Sequence, residues 1–448
     1  MAREANVQLP QPVFHEPTFN EGVSSKDPTG FGVKHPSDTA LYNQIQNLLK
    51  KDVVSFDQSR VADGQLLQLQ DAYGAHGAQI VQAVKKAGKI IFHALGDSGA
   101  SNAGKYKNEV RVADQLTADC QTADAANRPV FLFHLGDVVY DFGESQYYYD
   151  QFYDPFRNYP APIFAIPGNH DSFIVPNTPP AQTPLTTFSR NFCASQIMIT
   201  PEAASLHRTA MTQPGVYFTL DAPFVRIIGL FSNALEDPGV ISSEGKKWPN
   251  VPDFQLSYLT AQLKRISSEK YKGAVLLAMH HPPFSYSPPR GGSGSGGNHG
   301  CSPAMLAQID TICQQQGVYP HAFLSAHAHN YQRYTRTVHF GSKDFDVPFI
   351  VCGDGGHNVN RMVQGKQGQP PEEPNNGVRV DYLDAKPALK TGGLILEKYD
   401  DQQYGYLRIT VDAQQLRIGF NQVGVGSLAQ SRFDLVTVDL ASHTMVAN

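Results

Sequence analysis

The sequence predicts an α/β protein built on two sheets, and three observations carry that expectation. From Lys89 onward, short apolar runs alternate with helix-like patterns. Gly215–Leu230 reads as two strands joined by a tight turn at Asp221-Ala222-Pro223, and the tail from Gly392 to Leu440 supplies about four strands in succession. The alternating part places loops at the carboxyl ends of strands, where α/β proteins carry their functional groups; the hairpin and tail add antiparallel strands.

Composition narrows the class. The 448 residues are 41% hydrophobic and 17% charged, enough apolar material for a sizeable core. A net charge of −5 without a basic block disfavours nucleic acid as a partner. No run of 18 apolar residues provides a membrane span. The N-terminus lacks the apolar stretch of a Sec-type signal, which predicts a cytoplasmic protein or one exported by another route. Five cysteines, scattered and without a CxxC pair, predict neither a disulfide framework nor a thiolate metal site. Among the 16 histidines, several stand beside Gly, Asp or Asn at the ends of predicted strands.

In chain order, residues 1–37 read as an extended arm and residues 38–51 and 65–86 as amphipathic helices. Strand KIIFHALG then precedes Asp97 and a helix around Glu109–Cys120. Strand PVFLFHLG precedes Asp137 and the helix-like aromatic run QYYYDQFYDPF, and strand PIFAIPG precedes Asn169-His170-Asp171. After the hairpin come a helix at Asp253–Ser268, strand GAVLLAM into His280-His281, a flexible loop at 291–297, a helix near Pro303–Gln316, and strand HAFLSA into His327-Ala328-His329. Strand VPFIVCG leads to Asp354-Gly355-Gly356-His357, read as a turn near the site, and residues 358–389 read as a long surface loop. His93 and His134 are expected to be buried strand residues with satisfied hydrogen bonds.

Five motifs thus follow apolar strands: Gly96-Asp97-Ser98-Gly99, Gly136-Asp137-Val138-Val139-Tyr140, Gly168-Asn169-His170-Asp171, Met279-His280 and His327-Ala328-His329. Their side chains include two carboxylates (Asp97, Asp137), a phenol (Tyr140), an amide oxygen (Asn169) and three imidazoles (His280, His327, His329), more donors than one ion needs. They suit a pair of ions sharing a carboxylate, a geometry used in phosphoryl-ester hydrolysis. Carboxylate and phenolate favour a hard trivalent ion, whereas imidazole with amide favours Zn, Fe(II) or Mn. Displacing a phenol proton of pKa ~10 requires a strong Lewis acid, which argues for Fe(III) beside Tyr140.

These residues resemble the purple acid phosphatase branch of the calcineurin-like metallophosphoesterases. The pattern GDxG, GDxxY, GNH(D/E), strand-end His and GHxH stands here as GDSG, GDVVY, GNHD, MHHP and AHAH, over roughly residues 88–420. In the wider superfamily the first motif is Asp-x-His; here Gly99 holds the histidine position and Tyr140 is present instead. The resemblance implies an α/β/β/α four-layer sandwich of two mixed sheets. It implies Fe(III) bound by Asp97, Tyr140 and His329, a divalent Fe, Zn or Mn bound by Asn169, His280 and His327, and Asp137 as the bridge. His280, directly after its strand, is the expected ligand, with His281 facing the opposite way.

It further implies hydrolysis of small phosphomonoesters to inorganic phosphate by in-line attack of a metal-bound hydroxide. His170 would contact the phosphate or orient the nucleophile, His299 would assist the leaving group, and Arg290 could bind phosphate. Ala326 replaces the glycine usual before the first histidine of the last motif, and the plant-type fibronectin-like N-terminal domain is not evident. Residues 1–87 are read as an arm and helical segment packing on the core, and 88–448 as the catalytic domain. Two alternatives stay open: a phosphodiesterase using the same site, and a non-catalytic metal- or phosphate-binding protein.

Overall fold

The apolar runs that end in Gly-Asp and Gly-Asn become adjacent parallel strands. A computed structural model describes residues 39–51, 65–122, 124–174, 182–204, 206, 208–285, 300–361, 389–391, 393–424 and 432–447. The smaller of its two mixed sheets runs in the order Thr444–Val446, Arg432–Asp439, Gln415–Gln422, Gly405–Asp412, Lys89–Leu95, Leu132–His134, Ile163–Ala165. It is antiparallel as far as Lys89–Leu95 and parallel from there on. Lys89–Leu95 is buried along nearly its whole length, so its sequence is a continuous apolar run rather than an alternation.

The larger sheet runs Leu66–Gln68, Phe218–Ala222, Val225–Leu230, Ala274–Met279, Ala322–Ser325, Lys343–Cys352, Tyr331–Phe340, Leu394–Asp400, Leu389–Thr391. Its centre, from Val225–Leu230 to Lys343–Cys352, is parallel, and Phe218–Ala222 pairs antiparallel with Val225–Leu230, as the hairpin pattern predicts. The sheets pack face to face: Phe133 lies on Phe218, and Tyr331 stacks on Phe420 with ring centroids 4.0 Å apart. Helix Ala103–Cys120, capped by the Asn102 side chain, covers the smaller sheet and ties to it through Gln115 Nε2 and the Gln422 carbonyl. Helices Phe254–Ser268 and Pro303–Gln316 cover the larger one; Ser302 caps the second, and Gly317 ends it at φ 68°. The fold is therefore the expected α/β/β/α arrangement of two mixed sheets.

Three elements differ from the expectation. The predicted helix over 65–86 begins as a strand, Leu66–Gln68, parallel to Phe218–Ala222. Its helical part is interrupted at Gly74 (φ 53°), and a Cβ at Gly77 would lie 1.7 Å from the Gln70 carbonyl oxygen. Tyr331–Phe340, a long strand of the larger sheet, is rich in polar residues and escapes an apolar pattern search. The aromatic run after Asp137 forms a 3₁₀ turn and a π-helical turn rather than an α-helix, with Tyr147, Tyr148, Phe152 and Tyr153 buried as packing. Residues 1–37, 291–297 and 362–388, read above as arm and loops, lie outside the described residues.

Helix Thr39–Lys50 docks apart from the main core. Tyr42, Ile45 and Leu49 pack with Phe142, Phe173, Leu235 and Trp248, residues of the loops beyond the carboxyl ends of the strands.

Candidate metal centre

The three parallel strands of the smaller sheet deliver Asp97, Asp137 and Asn169; neighbouring strands of the larger sheet deliver His280, His327 and His329. Their carboxyl ends meet. Asp97 N donates to the Gly136 carbonyl, Ala326 N donates to the His280 carbonyl, and His280 Nδ1 reaches across the sheets to the Leu135 carbonyl at 2.9 Å. The turns are sharp, with Asp97, Asp137 and His327 all at positive φ. Close approach dictates the glycines: a Cβ at Gly168 would lie 2.0 Å from Asp137 Oδ1, and one at Gly96 would lie 2.4 Å from the Ala326 Cβ.

The donors fall into two groups. In the first, the Tyr140 hydroxyl donates to Asp97 Oδ1 at 2.7 Å and lies 3.1 Å from His329 Nε2, which is 3.3 Å from the same Asp97 oxygen. Asp97 Oδ2 accepts from His327 N at 2.6 Å, which fixes the carboxylate plane. In the second, Asp137, His280 and His327 converge: His280 Nε2 is 3.3 Å from Asp137 Oδ2 and 3.2 Å from His327 Nδ1. Tautomers follow from the outer contacts. His280 Nδ1 donates to the Leu135 carbonyl and His327 Nε2 to the Glu236 carbonyl at 2.7 Å, which turns His280 Nε2 and His327 Nδ1 toward each other and the carboxylate; without a proton there, both would present lone pairs.

The donor set fits metal. Asp137 Oδ2 and Asn169 Oδ1 are buried without a hydrogen-bond partner, which is unfavourable in a folded protein unless a further group meets them. Burial, the Asp137 charge and the Asp97 charge hold the Tyr140 phenol well above its usual pKa; an added cation would reverse that balance. At Asp137 burial raises the carboxyl pKa, but the positive charges of His280 and His170 outweigh it and hold it below the usual range. Burial likewise opposes charge on His280, and the Asp137 carboxylate overrides it, pushing His280 up to about 9. Asp137 meets the second group through Oδ2, 3.3 Å from His280 Nε2, and its charge also acts on the Tyr140 phenol.

His170 N donates to Asp137 Oδ1 at 3.0 Å, and its Nδ1 donates to the Asp141 carbonyl at 2.9 Å, leaving Nε2 for a ligand. His281 points away, bonding Ser232 Oγ and the Leu235 carbonyl, both at 2.7 Å. His93 and His134 are buried and partnered, by Tyr159 and Asp119 and by Ser98 and Gly136 N. His299 and Arg290 lie outside the described residues.

Three neighbours complete the site: Asp171 and His357 stand in motifs read from the sequence without an assigned role, and Glu236 carries no sequence signal. Asp171, the last residue of GNHD, accepts from the backbone N–H groups of Val138, Val139 and Gly168 and so ties two donor loops together. Glu236 Oε2 lies 3.2 Å from Asn169 Nδ2 and 3.9 Å from His170 Nε2. His357 stacks on Tyr140 at 3.5 Å, with its Nδ1 donating to the Gly99 carbonyl. At Gly99 itself, a Cβ would lie 2.6 Å from both the Val138 carbonyl oxygen and Val139 Cα. A side chain at position 99 would therefore require that backbone to move.

Comparison with known proteins places this geometry. A family model described as calcineurin-like phosphoesterase matches residues 92–331, the span that contains all seven donors. No curated protein matches the chain. Among solved structures, the chain is similar to "GAP50 the anchor in the inner membrane complex of Plasmodium", with 13% identity, 78% of this chain and 87% of that chain covered, and a TM-score of 0.47. It is also similar to "Structure of PhoD", with 13% identity, coverage of 80% and 72%, and a TM-score of 0.43.

Proposed function

The chain belongs to the calcineurin-like phosphoesterase family, a family of phosphoric ester hydrolases, and on that premise we propose that it is a purple-type acid phosphatase acting on small phosphomonoesters. The observation that carries the finer reading is Tyr140: its hydroxyl meets Asp97 Oδ1 and His329 Nε2, at a place where a side chain at position 99 would require the backbone to move. Asp97, Tyr140 and His329 would hold Fe(III); Asn169, His280 and His327 would hold a divalent Fe, Zn or Mn; Asp137 would bridge. When bound, such a pair supplies Lewis-acid activation of water near neutral pH and positive charge for the phosphoryl oxygens.

The rest is the work of this chain's own groups. Leu135 and Glu236 hold the two histidines in the tautomers that present lone pairs. The Asp141 carbonyl orients His170 so that Nε2 is free to contact a phosphoryl oxygen or the attacking water. Burial of the donors excludes bulk water and strengthens each electrostatic contact. We assign leaving-group protonation to His299 on the family resemblance. Among the described residues no helix is long and apolar enough to cross a membrane.

The test pairs turnover with colour. The iron-loaded protein should hydrolyse p-nitrophenyl phosphate faster than bis-p-nitrophenyl phosphate and show a visible tyrosinate-to-iron band. Faster diester cleavage would make it a phosphodiesterase, and inertness toward both would make it a binding protein. A band retained in Tyr140→Phe would remove Tyr140 from the iron.

A further inference from the structure

Helix Thr39–Lys50 reaches the metal centre through one hydroxyl. Tyr42, 4% exposed, stacks on the His170 ring with centroids 4.4 Å apart and 16° between planes. Its hydroxyl accepts from Asn169 Nδ2 at 2.8 Å and from Gln46 Nε2 at 3.0 Å. Gln46 has no freedom to turn: Nε2 also donates to the Ala234 carbonyl at 2.9 Å, and Oε1 accepts from Glu236 N at 2.7 Å. Reversing that amide would set oxygen against carbonyl and N–H₂ against N–H. The backbone at Ala234 and Glu236 therefore dictates that Gln46 offers an N–H to Tyr42.

The Tyr42 hydroxyl oxygen thus sits between two amide N–H₂ groups. One Asn169 N–H goes to the Tyr42 hydroxyl and the other to Glu236 Oε2 at 3.2 Å, so both amide hydrogens are committed. A reversed Asn169 would face its oxygen to the Glu236 carboxylate and lose that bond, and the Tyr42 hydroxyl would have to turn its own hydrogen toward the amide oxygen. The orientation that remains leaves Asn169 Oδ1, buried and without a hydrogen-bond partner, for the ion beside His280 and His327.

We propose that Tyr42 is a positioning residue for the divalent-metal site: through its hydroxyl, the N-terminal helix sets the Asn169 amide with its oxygen toward the ion. The inference rests on the assignment of Asn169 as a ligand, and the experiment separates the two. Metal-free full-length protein is titrated with Zn²⁺ by calorimetry, and the relevant binding step is the one weakened by Asn169→Ala. Tyr42→Phe, which keeps the ring on His170, should weaken the same step by about 10- to 100-fold, the usual effect of removing a partner that orients a ligand. In an Asn169→Asp background the two oxygens are equivalent and there is no amide to orient. Adding Tyr42→Phe there should change affinity by no more than about twofold.

An equal loss in both backgrounds would make Tyr42 merely structural and overturn the proposal. So would Zn²⁺ binding unchanged by Tyr42→Phe while Asn169→Ala weakens it. If Asn169→Ala has no effect, the ligand assignment falls and the inference with it. Should Tyr42→Phe fail to fold, as judged by melting of the metal-free protein, Gln46→Leu takes its place. It frees the hydroxyl to rotate and must weaken the same step; unchanged affinity would refute the proposal.

Discussion

The two halves of the metal centre are built on opposite plans. Asp97, Tyr140 and His329 bond one another: the phenol donates to the carboxylate and sits beside the imidazole, so the three donors close around one point. Asn169, His280 and His327 are each held from behind, by Tyr42 and Glu236, by the Leu135 carbonyl and by the Glu236 carbonyl. The first half is closed mainly by its own contacts, with the His327 N–H on Asp97 Oδ2 and the His357 ring on Tyr140 behind them, but its phenol, held above its usual pKa by burial and two carboxylates, must lose a proton to become a ligand. The second half is preorganised by backbone and helix, with unpartnered oxygens on Asp137 and Asn169. On the proposed assignment, position one would call for a strong Lewis acid, and position two owes its shape to the surrounding fold.

Asp137, the proposed bridge between the halves, gives the largest expected effect. Asp137→Asn removes the charge that acts on His280 from one side and Tyr140 from the other. Turnover of p-nitrophenyl phosphate should fall by roughly 10³-fold or more, and the spectroscopic coupling between the metals should vanish. Wild-type turnover in that variant would refute the bridge. Tyr140→Phe touches only the first half. It should abolish the visible band and lower kcat by roughly 10²-fold, while the Zn²⁺ step that depends on Asn169 stays intact. Loss of both steps together would mean that the two halves are one cooperative unit.

How much of this was legible in the sequence follows from how each residue arrives. Asp97, Asp137, Asn169, His280, His327 and His329 each stand directly after an apolar strand, so local pattern alone places them at strand ends. Parallel pairing of neighbouring strands then makes those ends meet. Tyr42, Gln46 and Glu236 have no such signature. Tyr42 lies 127 positions from Asn169, and Gln46 lies 188 from Ala234, on a helix whose amphipathic period reveals which face is buried but not where it docks. Leu66–Gln68 was hidden for a related reason: three residues are too few to display a period, and only pairing with Phe218–Ala222 makes them a strand.

Gly99 tests whether the first half could have been built the other way. A side chain there would strike the backbone of Val138 and Val139, between Asp137 and Tyr140. Gly99→Ala should lower stability by about 1–3 kcal/mol in denaturant unfolding, as overpacking does. Because the displaced loop carries donors of both halves, it should also weaken both metal-binding steps. A fully stable, active variant would show that this loop has room for a side chain, and the exchange of histidine for Tyr140 would lose its steric reason.

The smallest expected effect separates His280 from its neighbour. His280 turns Nε2 into the centre, whereas His281 uses both ring nitrogens elsewhere, on Ser232 Oγ and the Leu235 carbonyl. Burial and the charge on His280 push His281 down to about 3, so it stays neutral wherever the protein is folded and active. It is wedged as well as bonded, since a Cβ at Gly239 would lie 2.4 Å from its Cβ. His281→Asn should lower stability by about 1–3 kcal/mol, because buried polar partners are left unmet. It should leave the Zn²⁺ affinity within about twofold. His280→Asn should remove the divalent step, and because it leaves the Leu135 carbonyl without its donor it should lower the melting of metal-free protein by a similar amount. If the two variants exchange phenotypes, the ligand is His281, and the second half of the centre is assembled from the other face of its strand.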